Sequence, residues 1–119
     1  MVCRPGTVAV GVLGILLTGC VAIAQAAAVA EGHSRDMRRR GYFSHTTPEG
    51  LSPFDRLSRA GIAFRSAGEN IAEGATTAEK ALSQWLGSPS HRAAIEDCSY
   101  THHGAGREGV YWTHLFLRP

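Results

Sequence analysis

The chain has 119 residues, which leaves room for one small domain only. Its 12 Lys and Arg against 10 Asp and Glu form a near-neutral balance that argues against nucleic acid as a partner. Two of the three cysteines, Cys3 and Cys20, fall in the first twenty residues, so an intrachain disulfide framework is excluded.

The first quarter reads as a leader. Arg4 supplies a positive n-region, and Thr7 to Leu17 is an uncharged apolar run of 11 residues, suited to a signal-peptide core and too short to span a membrane. Two processing sites compete. Leu17-Thr18-Gly19-Cys20 has the form of a lipobox, which would leave Cys20 lipidated and the chain attached to a membrane. Ala24-Gln25-Ala26 has the A-x-A form of an ordinary signal-peptidase site. The expected organisation is a signal peptide over 1–26, with the lipobox at 17–20 competing, and a domain over 27–119. Either site implies export to the periplasm, envelope or extracellular space. Cys98, the remaining cysteine, is expected to be buried as a small hydrophobe.

A helix is expected from Ala26 to Arg40, with three arginines in its last turn and Gly41 as its stop. Val29, Ala30, His33 and Met37 share one face, which makes His33 a packing residue. Two prolines and two glycines make Gly41 to Pro53 a loop. Ser52 is the N-cap and Pro53 the first residue of a short helix to Ala60, with Phe54 and Leu57 pointing inward. Ile62 to Ile71 reads as extended chain leading into a Gly68-Glu69-Asn70 turn. Thr76 or Thr77 caps a helix from Ala78 to Leu86, which Gly87-Ser88-Pro89 breaks. Ser90 to Ile95 is then a short helix carrying His91, with Ser88 as its candidate cap. Tyr100–Ala105 and Val110–Leu117 form a hairpin joined through Gly106-Arg107-Glu108-Gly109.

The stretch Arg65 to Gly74 organises the rest, because Tyr42-Phe43-Ser44-His45 and Trp85 to Arg92 each bring a histidine beside bulky apolar residues towards Glu69. His45, Glu69 and His91 are therefore the candidate cleft residues. Glu73 is a candidate second carboxylate or a solvated acid, and Arg92 is a partner for a carboxylate of the rim. Two imidazoles and a carboxylate can ligate a divalent metal such as zinc and leave an open position. The same groups can act as acid and base without one. Glu69 can equally serve only to hold the backbone around Gly68–Ile71. No His-Glu-x-x-His helix and no Gly-x-Ser-x-Gly elbow accompany them. His102, His103 and His114 fall in the hairpin and read as surface residues.

Six segments in register resemble the bacterial, SCP-like form of the CAP superfamily (cysteine-rich secretory proteins, antigen 5 and pathogenesis-related 1 proteins). They are His33-Ser34-Arg35-Asp36-Met37, Tyr42-Phe43-Ser44-His45, Ser52-Pro53-Phe54-Asp55-Arg56, Ala67-Gly68-Glu69-Asn70-Ile71-Ala72, Trp85 to Arg92, and Tyr111-Trp112-Thr113-His114-Leu115-Phe116. The resemblance implies an α+β fold, an α-β-α sandwich around a small, mainly antiparallel sheet, with a cleft lined by histidines and glutamates. It carries over to His45, Glu69 and His91. Tyr111 stands where eukaryotic members have a second histidine, and Ala94 and His114 stand where members usually have Asn and Gln. A further helix normally precedes His33, and here the leader takes its place, so the first family helix is expected to be missing. The resemblance favours an exported binding module for a lipid, glycan or protein ligand. A metal-dependent hydrolase or peptidase and a truncated remnant without a working site are the alternatives.

Overall fold

The computed structural model describes residues 20–119 in full, with the backbone of two short strands before them. These are β1 (Val8–Gly11) and β2 (Gly14–Leu17), paired antiparallel with Gly11 opposite Gly14. Cys3, Arg4 and the lipobox positions Thr18 and Gly19 lie outside the described residues. No described helix is long and apolar enough to cross a membrane.

The domain proper is a four-stranded sheet in the order β3-β5-β6-β4, made of Val21–Ala22, His102–Glu108, Tyr111–Arg118 and Ser66–Glu73. Only the short β3–β5 pair is parallel. The hairpin turn is tighter than expected, with Gly109-Val110 alone between the strands. Glu69 is a strand residue rather than the tip of a turn: all of Ser66–Glu73 pairs with β6, Glu69 opposite Leu115.

Helices cover both faces. Leu115 and Leu117 pack with Ala26 and Ala30 of α1 (Ala24–Arg40) and Leu57 of α2 (Pro53–Arg59). On the other face Ala72, Trp112 and Phe116 pack with Ala81 and Trp85 of α3 (Ala78–Leu86) and Ile95 of α4 (Pro89–Glu96). This double covering is why β6 is buried at every position from Trp112 to Leu117, the polar Thr113 and His114 included. The two indoles also anchor backbone, Trp85 donating to the Ile71 carbonyl at 3.0 Å and Trp112 to that of Ala75 at 2.8 Å.

Local chemistry sets the helix ends. Ser52 and Asp55 form a reciprocal capping box with Pro53 at the first helical position, and Thr77 accepts from the Lys80 amide. Gly41 ends α1 at φ 69°, in the left-handed region. Gly104 and Gly106 face α1 so closely that a Cβ would lie 2.3 Å from the Ala27 nitrogen and 2.4 Å from that of Glu31. Some expectations are corrected. Phe54 is 47% exposed, because Pro53 and Leu57 are the α2 side chains that turn inward. Cys98 is exposed in the turn after α4.

Candidate functional site

Glu69 sits at the centre of a buried charged knot. Its side chain is 1% exposed, and both oxygens are engaged. Arg56 of α2 donates to Oε2 at 2.7 Å and to Oε1 at 3.0 Å, while His45 Nδ1 meets Oε1 at 2.8 Å. Burial alone would raise the Glu69 carboxyl, but the hydrogen bonds from His45 and Arg56 and the guanidinium charge outweigh it and hold it below the ordinary range. The ionised carboxylate can only accept, so Nδ1 of His45 carries the proton and a neutral His45 keeps its lone pair on Nε2.

The loop bearing His45 is pinned at two carbonyls. Arg56 donates to the His45 carbonyl at 2.8 Å, and His33 Nε2 bonds the Ser44 carbonyl at 2.9 Å. His33 is thus a positioning residue as well as a packing one. Its imidazole is held below its ordinary value by burial and by the Arg56 charge, against the opposing pull of Glu69. Gly68 is needed for close approach: a Cβ there would lie 2.7 Å from the Tyr100 hydroxyl.

His91 enters from α4. Its Nδ1 is 2.8 Å from Ser88 Oγ, and its carbonyl accepts from Asn70 Nδ2 at 2.9 Å, which ties α4 to β4. Ser88 is the N-cap residue by position, but its hydroxyl makes no cap bond and turns to the imidazole instead. Burial, and then the proximity of His45, lowers the His91 value. His45 and His91 line one cleft of about 510 Å³, with Phe43, Ile71, Ala72 and Trp85 as apolar wall and Ser44, Glu73, Gln84 and Ser88 as polar rim.

The structure brings His45, Glu69 and His91 to this region and puts Glu73 at the mouth. Glu73 is exposed and holds the Tyr111 hydroxyl, whose value its hydrogen bond raises. Arg92 does not serve the rim; it pairs with Glu96 one turn along its own helix at 2.8 Å. Arg56 is the functional residue the sequence reading passed over. Its signal was the position one before the inward-facing Leu57, close enough to the core side to reach β4.

His103 and His114 are not surface residues. Both are buried on the α3/α4 face, with His103 Nδ1 2.8 Å from His114 Nε2 and the His114 ring packed 4.2 Å from that of Phe116. Burial keeps both imidazoles below their ordinary value, His114 well below and further lowered by His103.

The donor set does not fit a three-ligand zinc centre as it stands. Both Glu69 oxygens are taken up by Arg56 and His45, and a guanidinium lies where a second cation would have to approach. Among the described residues no three His, Cys, Asp or Glu side chains are grouped to hold one metal ion.

A small, mainly antiparallel sheet covered by helices on both faces, with a histidine-lined cleft at one side, defines a class of α+β domain. The family model described as "Cysteine-rich secretory protein family" (CAP) matches residues 23–111, and the chain belongs to that family. It is 40% identical over 90 residues to the uncharacterised protein YkwD of Bacillus subtilis, covering 74% of this chain and 35% of that protein. It superposes with a TM-score of 0.82 and 38% identity on an extracellular protein containing an SCP domain from Bacillus anthracis, over 84% of this chain and 34% of the other. An outer surface protein of Borrelia burgdorferi shares the fold at a TM-score of 0.75 and 20% identity, over 83% of this chain and 77% of the other. The chain thus spans about a third of the length of the first two relatives.

Proposed function

We propose that this chain is an exported binding module whose His45–His91 cleft takes a small amphiphile, a lipid-like molecule with an apolar body and an anionic or acceptor-rich head. The observation that carries this is the saturation of Glu69 by Arg56 and His45, which leaves the cleft interior to offer imidazole nitrogens and apolar wall, with Glu73 at the mouth as its one carboxylate. Phe43, Ile71 and Trp85 would take the apolar body, and His45 and His91 the head. A glycan would instead want several carboxylate or amide groups converging on its hydroxyls, and the rim offers one of each, Glu73 and Gln84. Export of this chain is supported by its similarity to proteins described as extracellular and outer-surface.

The test is a chemical-shift titration of the full chain with dodecanoate, chitotriose and a Phe-containing tripeptide. Dodecanoate should move the Trp85 indole N–H and the His45 and His91 ring signals, and His45→Ala should abolish the ring response. A response to chitotriose or the tripeptide alone would replace the lipid reading with a glycan or protein one. No response to any probe would remove the cleft as a binding site.

Hydrolysis is the second reading, and one observation favours it. Glu69 fixes the His45 tautomer whose Nε2 can accept a proton, so the ring has the form of a general base. Turnover of a p-nitrophenyl acyl ester that disappears in His45→Ala would establish it. Its absence from the parent would remove it.

A further inference from the structure

One end of the sheet brings two arginines without carboxylate partners side by side. Strands β3, β5 and β4 all run opposite to β6, so the starts of those three strands and the end of β6 share one end. That end carries Val21, Arg65 and Arg118. The Arg65 amide donates to the Arg118 carbonyl at 2.7 Å, which makes the two residues neighbours. Both are exposed, and among the described residues neither enters an ion pair. Large apolar groups share that end: Val21, two strands away from Arg118, is 54% exposed, and Phe54, 47% exposed, packs against Phe64 with ring centroids 6.1 Å apart. Asp55, next to Phe54 in the chain, and Asp97 are both engaged elsewhere. Asp55 is held in the α2 capping box and feels Arg59, and Asp97 accepts the Ser99 amide in the turn before β5.

At the opposite end two α1 arginines are paired, while Arg39 is exposed and, among the described residues, enters no ion pair. Arg38 pairs with Glu108 at 3.6 Å, and Arg40 pairs with Asp36 at 3.0 Å and with Glu49. In the sequence, the apolar run Thr7–Leu17 leads into Cys20 and so into the first end, beside the unpaired arginines.

We propose that the end formed by Val21, Phe54, Phe64, Arg65 and Arg118 rests on an anionic phospholipid bilayer. Arginines without carboxylate partners suit lipid phosphates, and exposed aromatic and aliphatic side chains beside them suit the interfacial layer. The surface stands apart from the cleft ligand discussed above. It also orients the molecule: β4 runs about 23 Å from Ser66 to Glu73 at 3.3 Å per residue, so the rim residue Glu73 faces the aqueous side and the cleft is loaded from there.

The experiment is flotation of the full chain with vesicles of phosphatidylcholine alone or with one quarter phosphatidylglycerol. Arg65→Glu with Arg118→Glu should lower partition onto the anionic vesicles by tenfold or more, at roughly fivefold per arginine, and leave the neutral vesicles unaffected. Half-molar salt should erase the difference. Arg38→Glu with Arg39→Glu, at the far end, should change it by less than twofold. Phe54→Ser should weaken binding to both vesicle types by a few fold. Equal losses from the two arginine pairs, no loss from Arg65 and Arg118, or binding indifferent to phosphatidylglycerol would each overturn the proposal. Should the glutamate pair lower the unfolding midpoint, Arg65→Gln with Arg118→Gln carries the same test, with about half the effect.

Discussion

Two polar clusters are buried on opposite faces of one sheet, and they solve the problem of burial in opposite ways. Under α1 and α2, Glu69 keeps its charge because Arg56 and His45 fill both its oxygens. Under α3 and α4, His103 and His114 share one hydrogen bond and stay neutral, leaving His103 Nε2 and His114 Nδ1 without partners among the described residues. The first cluster is compensated at its carboxylate, although Arg56 Nε and His33 Nδ1 there also lack partners among the described residues; the second is tolerated. A charge inside a protein needs a countercharge, whereas an imidazole can shed its proton and needs only a neighbour.

Breaking the charged cluster should have the largest effect. Arg56→Ala leaves Glu69 buried with half its partners and frees the His45 loop, and should cost about 3–5 kcal/mol in urea unfolding. Breaking the neutral pair should cost less: His114→Leu, which strands His103 Nδ1, about 1–3 kcal/mol by the same measurement. The double change His103→Leu with His114→Leu should recover part of that loss.

Acid should separate the clusters without mutation. The buried imidazoles have lowered folded values, so the unfolded chain binds protons first and stability falls as pH drops below about 6.5. The Glu69 contribution is present above the ordinary carboxylate range and is lost only as pH falls through its lowered folded value. Unfolding free energy measured from pH 8 to pH 3 should therefore decline in two stages. His103→Leu with His114→Leu should shrink the upper stage to the part that the lowered His33 and His91 contribute, and spare the lower; an upper stage of equal size in that variant and the parent would make the comparison wrong. The smallest effect concerns the helix that delivers Arg56. Ser52→Ala removes one side of the α2 capping box and should cost about 1 kcal/mol, read as a shift in urea midpoint.

What the sequence made legible was mostly local. Ser52-Pro53, Thr77 and Gly41 mark helix ends through bonds within a few residues, and those ends were read closely. The α-β-α layering and the meeting of His45 with Glu69 came through the family resemblance, since no spacing rule relates residues 24 apart. Arg56 escaped because a helical arginine beside the core looks like any solvated one until its carboxylate is known. His114 was misjudged because alternation gives the faces of a strand without saying whether both are covered. Its flanking neighbours on the same face, Trp112 and Phe116, were the available hint. Arg92 chose the nearer acid, Glu96, over a more distant rim group.

Gly104 and Gly106 leave no side chain between β5 and α1, and Ser34 bonds Thr113 across the same contact at 2.7 Å. The helix is seated on bare backbone, so it cannot slip by a turn without driving Cβ atoms into the strand. α1 therefore works as a ruler graduated against the sheet. Its last mark is Gly41, from which the His45 loop departs, while Glu69 is carried on the sheet itself. The meeting of imidazole and carboxylate is indexed by two glycines that touch neither.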